Sequence, residues 1–290
     1  MRCTIFLRTA IITIVMLVIT PLPAQSLTGE LMQVHFIDVG QGDSILIETP
    51  ADKTILIDGG PPDAGKTVVN YLESLDIETI DLLIATHPDV DHIGGLPRVM
   101  KSFNVRQVID SGKLHTTYTY TKYINEIWNR EIPVEIANEN ETIKIDPLLE
   151  MKILNSYDKR KNNNQSSIVL KITYGEIDFL LMGDVEMEQE HELMGEHNVQ
   201  AEILKIAHHG SNTSTSRKFL QKVNPQIAML TYSVENDYGH PVNRVIENLH
   251  KQGSSIYSTA AFGNVVLTTD GKNYMVIPER TPFGNLEKAG

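Results

Sequence analysis

The sequence predicts an α/β protein folded as one domain, with two β-sheets packed together and helices on the outside. Three observations lead there. Short apolar runs with strand spacing alternate with helically spaced segments along the whole chain, and strands outnumber helices in both halves. The two halves follow a similar order, without a short internal repeat and without a long linker, since Asn162-Asn163-Asn164-Gln165 is only a polar loop. A chain of 290 residues that is 41% hydrophobic and 21% charged can bury a sizeable core, which excludes collagen-like, low-complexity and disordered classes.

The elements follow in order. Arg2 and Arg8 precede or open a nearly unbroken apolar run over 10–20, and Pro21 and Pro23 stand before Ala24-Gln25-Ser26. This order reads as a secretory signal peptide over 1–26, because the run is shorter than the ~20 residues a helix needs to cross the hydrocarbon. A periplasmic or released protein without stable membrane insertion is expected. Cys3, the only cysteine, leaves with the leader, so any metal site must use histidines and carboxylates. Strands at 31–37, 44–49 and 54–58 open a domain spanning 27–280, the first two joined by the turn Asp38-Val39-Gly40-Gln41-Gly42-Asp43. A helix at 66–75, a buried strand at 81–86, a helix at 95–102 and a strand at 105–109 come next. A third helix at 119–130 precedes strands at 134–136, 142–145 and 150–155. A hairpin about Gly175 pairs 167–173 with 178–182, before a helix at 185–196. Strands at 203–207, 227–230, 255–258, 265–269 and 274–277, with helices at 215–223 and 241–252, complete the pattern. The tail 281–290, with Pro282, Gly284 and Gly290, is expected to fray.

The chemistry concentrates after the strand at 81–86, in His87-Pro88-Asp89-Val90-Asp91-His92-Ile93-Gly94-Gly95. In an extended stretch alternate side chains share a face, so His87, Asp89 and Asp91 converge while His92 turns aside, a geometry that suits two adjacent metal ions. Pro88 rules out a continuous helix there, and the glycine pair lets the next helix pack close. Further polar residues stand where apolar strands end: Asp58, Asp184 and His208-His209-Gly210-Ser211. Strand ends collect at one rim of a sheet, and charges set directly after apolar runs cost desolvation unless a metal or partner compensates them. His35, His115, His191, His197 and His250 read as ordinary surface or core histidines. The run Thr116 to Tyr123 reads as a helix start with aromatic packing, though its tyrosines and Lys122 would also suit base stacking.

These motifs resemble the metallo-β-lactamase superfamily. With the opening His35-Phe36-Ile37-Asp38-Val39-Gly40-Gln41-Gly42-Asp43-Ser44, the strand end Leu56-Ile57-Asp58-Gly59-Gly60 and the pair Gly183-Asp184, they resemble more narrowly the extracellular hydrolase domain of the ComEC-type competence proteins and its free-standing secreted relatives. The resemblance spans 31–277. It implies a four-layer αββα sandwich with a metal site along the rim where the sheets meet. By the family pattern His87 and Asp89 would ligate one ion, Asp91 and His92 the other, Asp184 would bridge, and His208 would add a further ligand. Asp58 and Ser211 would support this set, and Asp91, His209 and His240 would touch the reacting group. His240, in Tyr238-Gly239-His240-Pro241, reads equally as a late ligand, a phosphate contact or a histidine at a helix start. The sequence departs from the superfamily string His-x-His-x-Asp-His at Asp89, and Asn162-Asn163-Asn164-Gln165-Ser166 stands where a further histidine is expected. Oxygen donors favour harder ions, so two divalent ions, Mn²⁺ or Zn²⁺ with Mn²⁺ preferred, are expected.

Two ions about 3.5 to 4 Å apart activate water and neutralise a leaving oxygen. The resemblance therefore implies a secreted metal-dependent hydrolase, a phosphodiesterase or nuclease acting on extracellular DNA, single-stranded DNA first. A teichoic-acid or phosphorylcholine phosphodiester is the second substrate class, and a non-catalytic DNA-binding module the reading from another class. With 25 basic against 37 acidic residues and a net charge of -12, a diffuse basic DNA-binding surface is excluded, and a polyanion must be gripped locally. Gly60-Pro61-Pro62-Asp63-Ala64-Gly65-Lys66-Thr67 matches the P-loop string, yet Pro61 and Pro62 remove two of the backbone donors that such a loop needs.

Overall fold

The computed structural model describes residues 30–159 and 161–282. The leader read over 1–26 and most of the tail lie outside these residues. A meander opens the fold: β1 (Met32–Phe36), β2 (Ile45–Glu48) and β3 (Thr54–Ile57) pair antiparallel in sequence. Then come α1 (Gly65–Ser74), β4 (Thr79–Ile80), β5 (Leu82–Ala85), α2 (Val90–Ile93), α3 (Leu96–Ser102), β6 (Asn104–Val105), β7 (Val108–Asp110), α4 (Tyr118–Asn129) and β8 (Val134–Ile136). The second half runs through β9 (Thr142–Ile143), β10 (Leu149–Asn155), β11 (Val169–Tyr174), β12 (Ile177–Leu181), α5 (Met187–Glu196), β13 (Ile203–Lys205), α6 (Arg217–Val223), β14 (Ile227–Leu230), α7 (Asn243–Gln252) and β15 (Ser255–Ser258). A short α8 (Thr259–Phe262), β16 (Val265–Thr269) and β17 (Tyr274–Pro278) close the chain.

Among the described residues two large sheets form. One has the order β17-β16-β1-β2-β3-β5-β7-β8 and the other β15-β14-β13-β12-β11-β10-β9, so the last two strands return to complete the first sheet. Period-two alternation divides each strand between two cores. In β2, Ile45 and Ile47 join Met151, Ile172 and Phe179 between the sheets, whereas Leu46 faces Val68, Leu72 and Val99 under the helices. In the second sheet Leu180 and Leu204 likewise turn outward, onto Leu193, Phe219 and Leu249. The result is the αββα layering with three separate cores.

This architecture also places the site. β3, β5, β7 and β8 run parallel, as do β12, β13, β14 and β15. Functional groups in open α/β sheets gather beyond the carboxyl ends of such strands. Asp58 follows β3, His87 follows β5, Asp184 follows β12 and the two histidines follow β13. The P-loop-like stretch serves packing: Gly65 sits against Gly95, and Pro62 against Gly94. Its loop therefore faces the ligand segment.

Candidate metal centre

The segment after β5 is extended only as far as Asp89, whose φ of -72° and ψ of 151° cap the single helical turn α2. That turn corrects the expectation that His92 points aside. Four residues are too few for helical periodicity to register in sequence, and the turn rotates His92 inward to full burial. Gly42 lets the opposite loop come close, since a Cβ there would lie 2.2 Å from the Asp91 carbonyl oxygen. Asp58, His208 and His209 all have positive φ, between 49° and 57°. Such non-glycine conformations cost on the order of 1–3 kcal/mol each and persist where surrounding structure enforces them.

One atom organises the centre. Asp184 Oδ2 lies 3.3 Å from His92 Nε2, 3.5 Å from His209 Nε2, 3.8 Å from His208 Nε2 and 4.0 Å from His87 Nε2. His87 Nε2 is also 3.6 Å from Asp89 Oδ2, and His209 Nε2 is 3.3 Å from Asp91 Oδ2. Three ligand groupings share His92: Asp43-Asp58-His92 lies on the Nδ1 side of its ring, and two face Asp184 and Asp91, namely His87-His92-Asp184 and Asp91-His92-His209. The last takes His209, which is buried. His208, further out and 20% exposed at its side chain, is in none of them. His208 still faces Asp184, and both its ring nitrogens lie 3.5 Å from the Asn164 amide. Asn163 donates to Asp89 Oδ1 at 2.6 Å, so the asparagine loop closes the side of the centre where the resemblance implied a histidine.

The ligand rings are held from behind. His92 Nδ1 donates to Asp58 Oδ2 at 2.8 Å, while Asp58 also accepts from the Thr86 backbone and hydroxyl at 2.9 and 2.6 Å. His209 Nδ1 donates to the Thr231 carbonyl at 2.7 Å. With Nδ1 donating, each Nε2 lone pair is directed at the centre. Ser211, assigned to this support, instead pairs with Thr213, whose hydroxyl reaches His208 Nδ1 at 3.2 Å. His240 adjoins the centre rather than entering it: its ring is T-shaped to His208 at 5.4 Å and stacked over His209 at 6.5 Å.

Sequence reasoning assigned no role to the pair Asp43–Lys205. Both are buried, Lys205 Nζ is 2.6 Å from Asp43 Oδ2, and Asp43 Oδ1 lies 3.5 Å from His209 Nδ1. The available signal was a lysine inside the apolar strand run Ile203 to Ile206.

The electrostatics fit cations. Burial opposes charge on His209, yet the carboxylates of Asp184, Asp91 and Asp43 outweigh it and raise its pKa to about 10. Burial likewise opposes charge on His92, and Asp184 and Asp58 raise it well above its usual value. Burial also opposes charge on Asp184, while His209 and His92 hold it well below the carboxylate range. For Asp91, burial is outweighed by the neighbouring imidazoles of His209 and His92, bringing it to about 2. The cluster therefore needs positive charge, which protons or dications can supply at the same nitrogens. His87 Nε2, His92 Nε2, His209 Nε2 and Asp184 Oδ1 are buried without hydrogen-bond partners. Four such atoms meeting at one rim are ordinary metal ligands and otherwise an unexplained cost.

Residues 37–147 match the family model described as the metallo-beta-lactamase superfamily. The chain is 28% identical over 261 residues to ComE operon protein 3 of Bacillus subtilis (strain 168), covering 84% of this chain and 33% of that protein. It is 28% identical over 229 residues to competence protein ComA of Neisseria gonorrhoeae, covering 78% of this chain and 30% of that protein. The chain thus spans about a third of the length of these curated relatives. Among solved structures, the metallo-beta-lactamase fold protein YhfI from Bacillus subtilis superimposes with a TM-score of 0.54 at 13% identity, covering 82% of this chain and 99% of that one. The last likeness bears on the fold.

Proposed function

We propose that this chain, a metallo-β-lactamase-superfamily hydrolase related to the competence proteins, cleaves phosphodiester bonds, with DNA outside the cytoplasm as its substrate. The observation that carries the reading is the convergence of four imidazole Nε2 atoms on Asp184 Oδ2 within 4.0 Å. His87, Asp89 and Asp184 would hold one ion, and Asp91, His92, His209 and Asp184 the other. Paired dications supply Lewis acidity and charge for a water and a phosphate. The chain's own residues do the rest. Asp58 and the Thr231 carbonyl fix the tautomers of His92 and His209. Asp89, held by the Asn163 amide, sets a carboxylate donor on one side in place of an imidazole, which favours Mn²⁺ over Zn²⁺. Burial, and then His208 and His209, keep the His240 pKa below its usual value, and its Nδ1 is buried without a hydrogen-bond partner beside the centre.

A nucleic acid is favoured over other phosphodiesters by an aromatic stack at the rim. Tyr238, 69% exposed, stacks on His240 at 5.6 Å and 23°, and His240 stacks on His209. Asn236 braces this loop, donating to the Ser233 and His240 carbonyls at 2.7 and 2.8 Å. An open ring face beside the centre suits a nucleobase next to the scissile phosphate. No helix among the described residues is long and apolar enough to cross a membrane. The leader sequence is the support for secretion.

The test incubates apoprotein with Mn²⁺, Zn²⁺ or Mg²⁺, first with a chromogenic phosphodiester and then with labelled single-stranded DNA. Turnover restored by Mn²⁺ above Zn²⁺ is expected. DNA binding without turnover under every metal would overturn the enzyme reading in favour of a binding module.

A further inference from the structure

The chain passes from the first sheet to the second between β8 and β9, and this crossover lies against the C-terminal end of α5. Glu139 of the crossover, Glu196 at the end of α5 and His197 just beyond it each bring one ligand-type atom within 4.8 Å of the others. Exposed glutamates near each other carry no meaning alone. His197 singles the group out: its side chain is only 5% exposed, its Nε2 is buried without a hydrogen-bond partner, and that nitrogen lies 3.6 Å from Glu139 Oε1. This is too long for a hydrogen bond, and a bare imidazole nitrogen buried beside two carboxylates needs a reason.

We propose that Glu139, Glu196 and His197 form a second cation site, sharing no residue with the rim centre, that takes Zn²⁺ or a similar divalent transition ion and clamps the inter-sheet crossover to the end of α5. One imidazole nitrogen and two carboxylate oxygens, with water in the remaining position, are a three-residue zinc set, whereas Ca²⁺ and Mg²⁺ select oxygen alone. The helix end adds to the attraction. α5 carries Glu188 and Glu190 in its first turn and no basic residue in its last, so its own side chains leave the partial negative charge of its final carbonyls uncompensated. A cavity of about 200 Å³ opens beside the three residues, polar and roomy enough for water ligands. Lys161, which also lines it, is engaged by Asn155 Oδ1 at 2.6 Å and the Ser156 carbonyl at 3.3 Å.

The inference does not rest on the hydrolase reading, and its test does not use activity. The full chain carrying Asp184→Asn and His209→Ala, which cripples the rim, is titrated with Zn²⁺ by equilibrium dialysis and by thermal unfolding. One equivalent should bind and raise the unfolding midpoint. Adding Glu139→Gln and Glu196→Gln, both exposed positions, should weaken that equivalent at least about tenfold and remove the shift. His197→Gln should do the same, and Co²⁺ in place of Zn²⁺ should show an absorption band that depends on His197. Unchanged Zn²⁺ affinity in the glutamine variants would overturn the site, as would Ca²⁺ or Mg²⁺ binding as tightly as Zn²⁺.

Discussion

Asp184 carries more of the site than any other residue, because one of its oxygens faces four imidazoles and the other is buried without a partner. Asp184→Asn keeps the shape and removes the charge. Hydrolysis should fall more than about 100-fold with the circular dichroism spectrum unchanged, a larger loss than the roughly 10- to 100-fold expected for Asp58→Ala, which only frees the back of His92. Lys66→Ala should leave turnover within about twofold, since Lys66 is exposed on α1 and the packing of its loop runs through Gly65 and Pro62. A pH effect belongs elsewhere, at Asp146. Burial raises its pKa, but its hydrogen bonds with Thr49 and with the Leu148 and Ala51 amides outweigh this and hold it below the usual value. A depressed folded pKa gives stability that is present above the unfolded pKa and lost as pH falls through the folded one. Urea unfolding should therefore show Asp146→Asn less stable by roughly 1 kcal/mol at pH 7, with the gap closing toward pH 3.

At the scale of elements, the helical turn α2 and the glycines around it bring a loop and two helices into van der Waals contact. A Cβ at Gly95 would lie 2.0 Å from the Gly59 carbonyl oxygen and 3.0 Å from the Gly65 Cα. These are backbone atoms, which cannot move aside cheaply. Gly95→Ala should cost roughly 2–3 kcal/mol despite alanine's better helix propensity, read as a lower denaturant midpoint with an unchanged slope. Activity should fall as well, because the His92 carbonyl accepts a hydrogen bond from the Gly59 amide at 2.7 Å and would be displaced with it. The strands and longer helices were legible because each presents its period over enough residues. β2 alternates between two cores, and α7 keeps Val245 and Leu249 buried on one face. The turn α2, four residues long, has no period to read.

Across the whole molecule, seven buried or nearly buried ionisable groups, Asp43, Asp58, His87, His92, Asp184, Lys205 and His209, meet where the two sheets join. A fold that concentrates charge in this way is stabilised by whatever cation neutralises it. Chelation should lower the unfolding midpoint by several degrees and abolish turnover together, and adding back Mn²⁺ should restore both. A midpoint indifferent to chelator would show that protons alone compensate the cluster.

What the amino-acid order determined by itself was the main strands and the longer helices, the alternation that makes each strand two-faced, and the clustering of histidine and aspartate at strand ends, because these are local periods and local polarity. Only the tertiary structure decided which imidazole of His208 and His209 turns inward, that His92 is central, and that Asp43 and Lys205 neutralise each other behind the ligands. Each of these depends on a backbone turn of three or four residues or on a partner from the other sheet. Nearest-neighbour pattern carries no information about either.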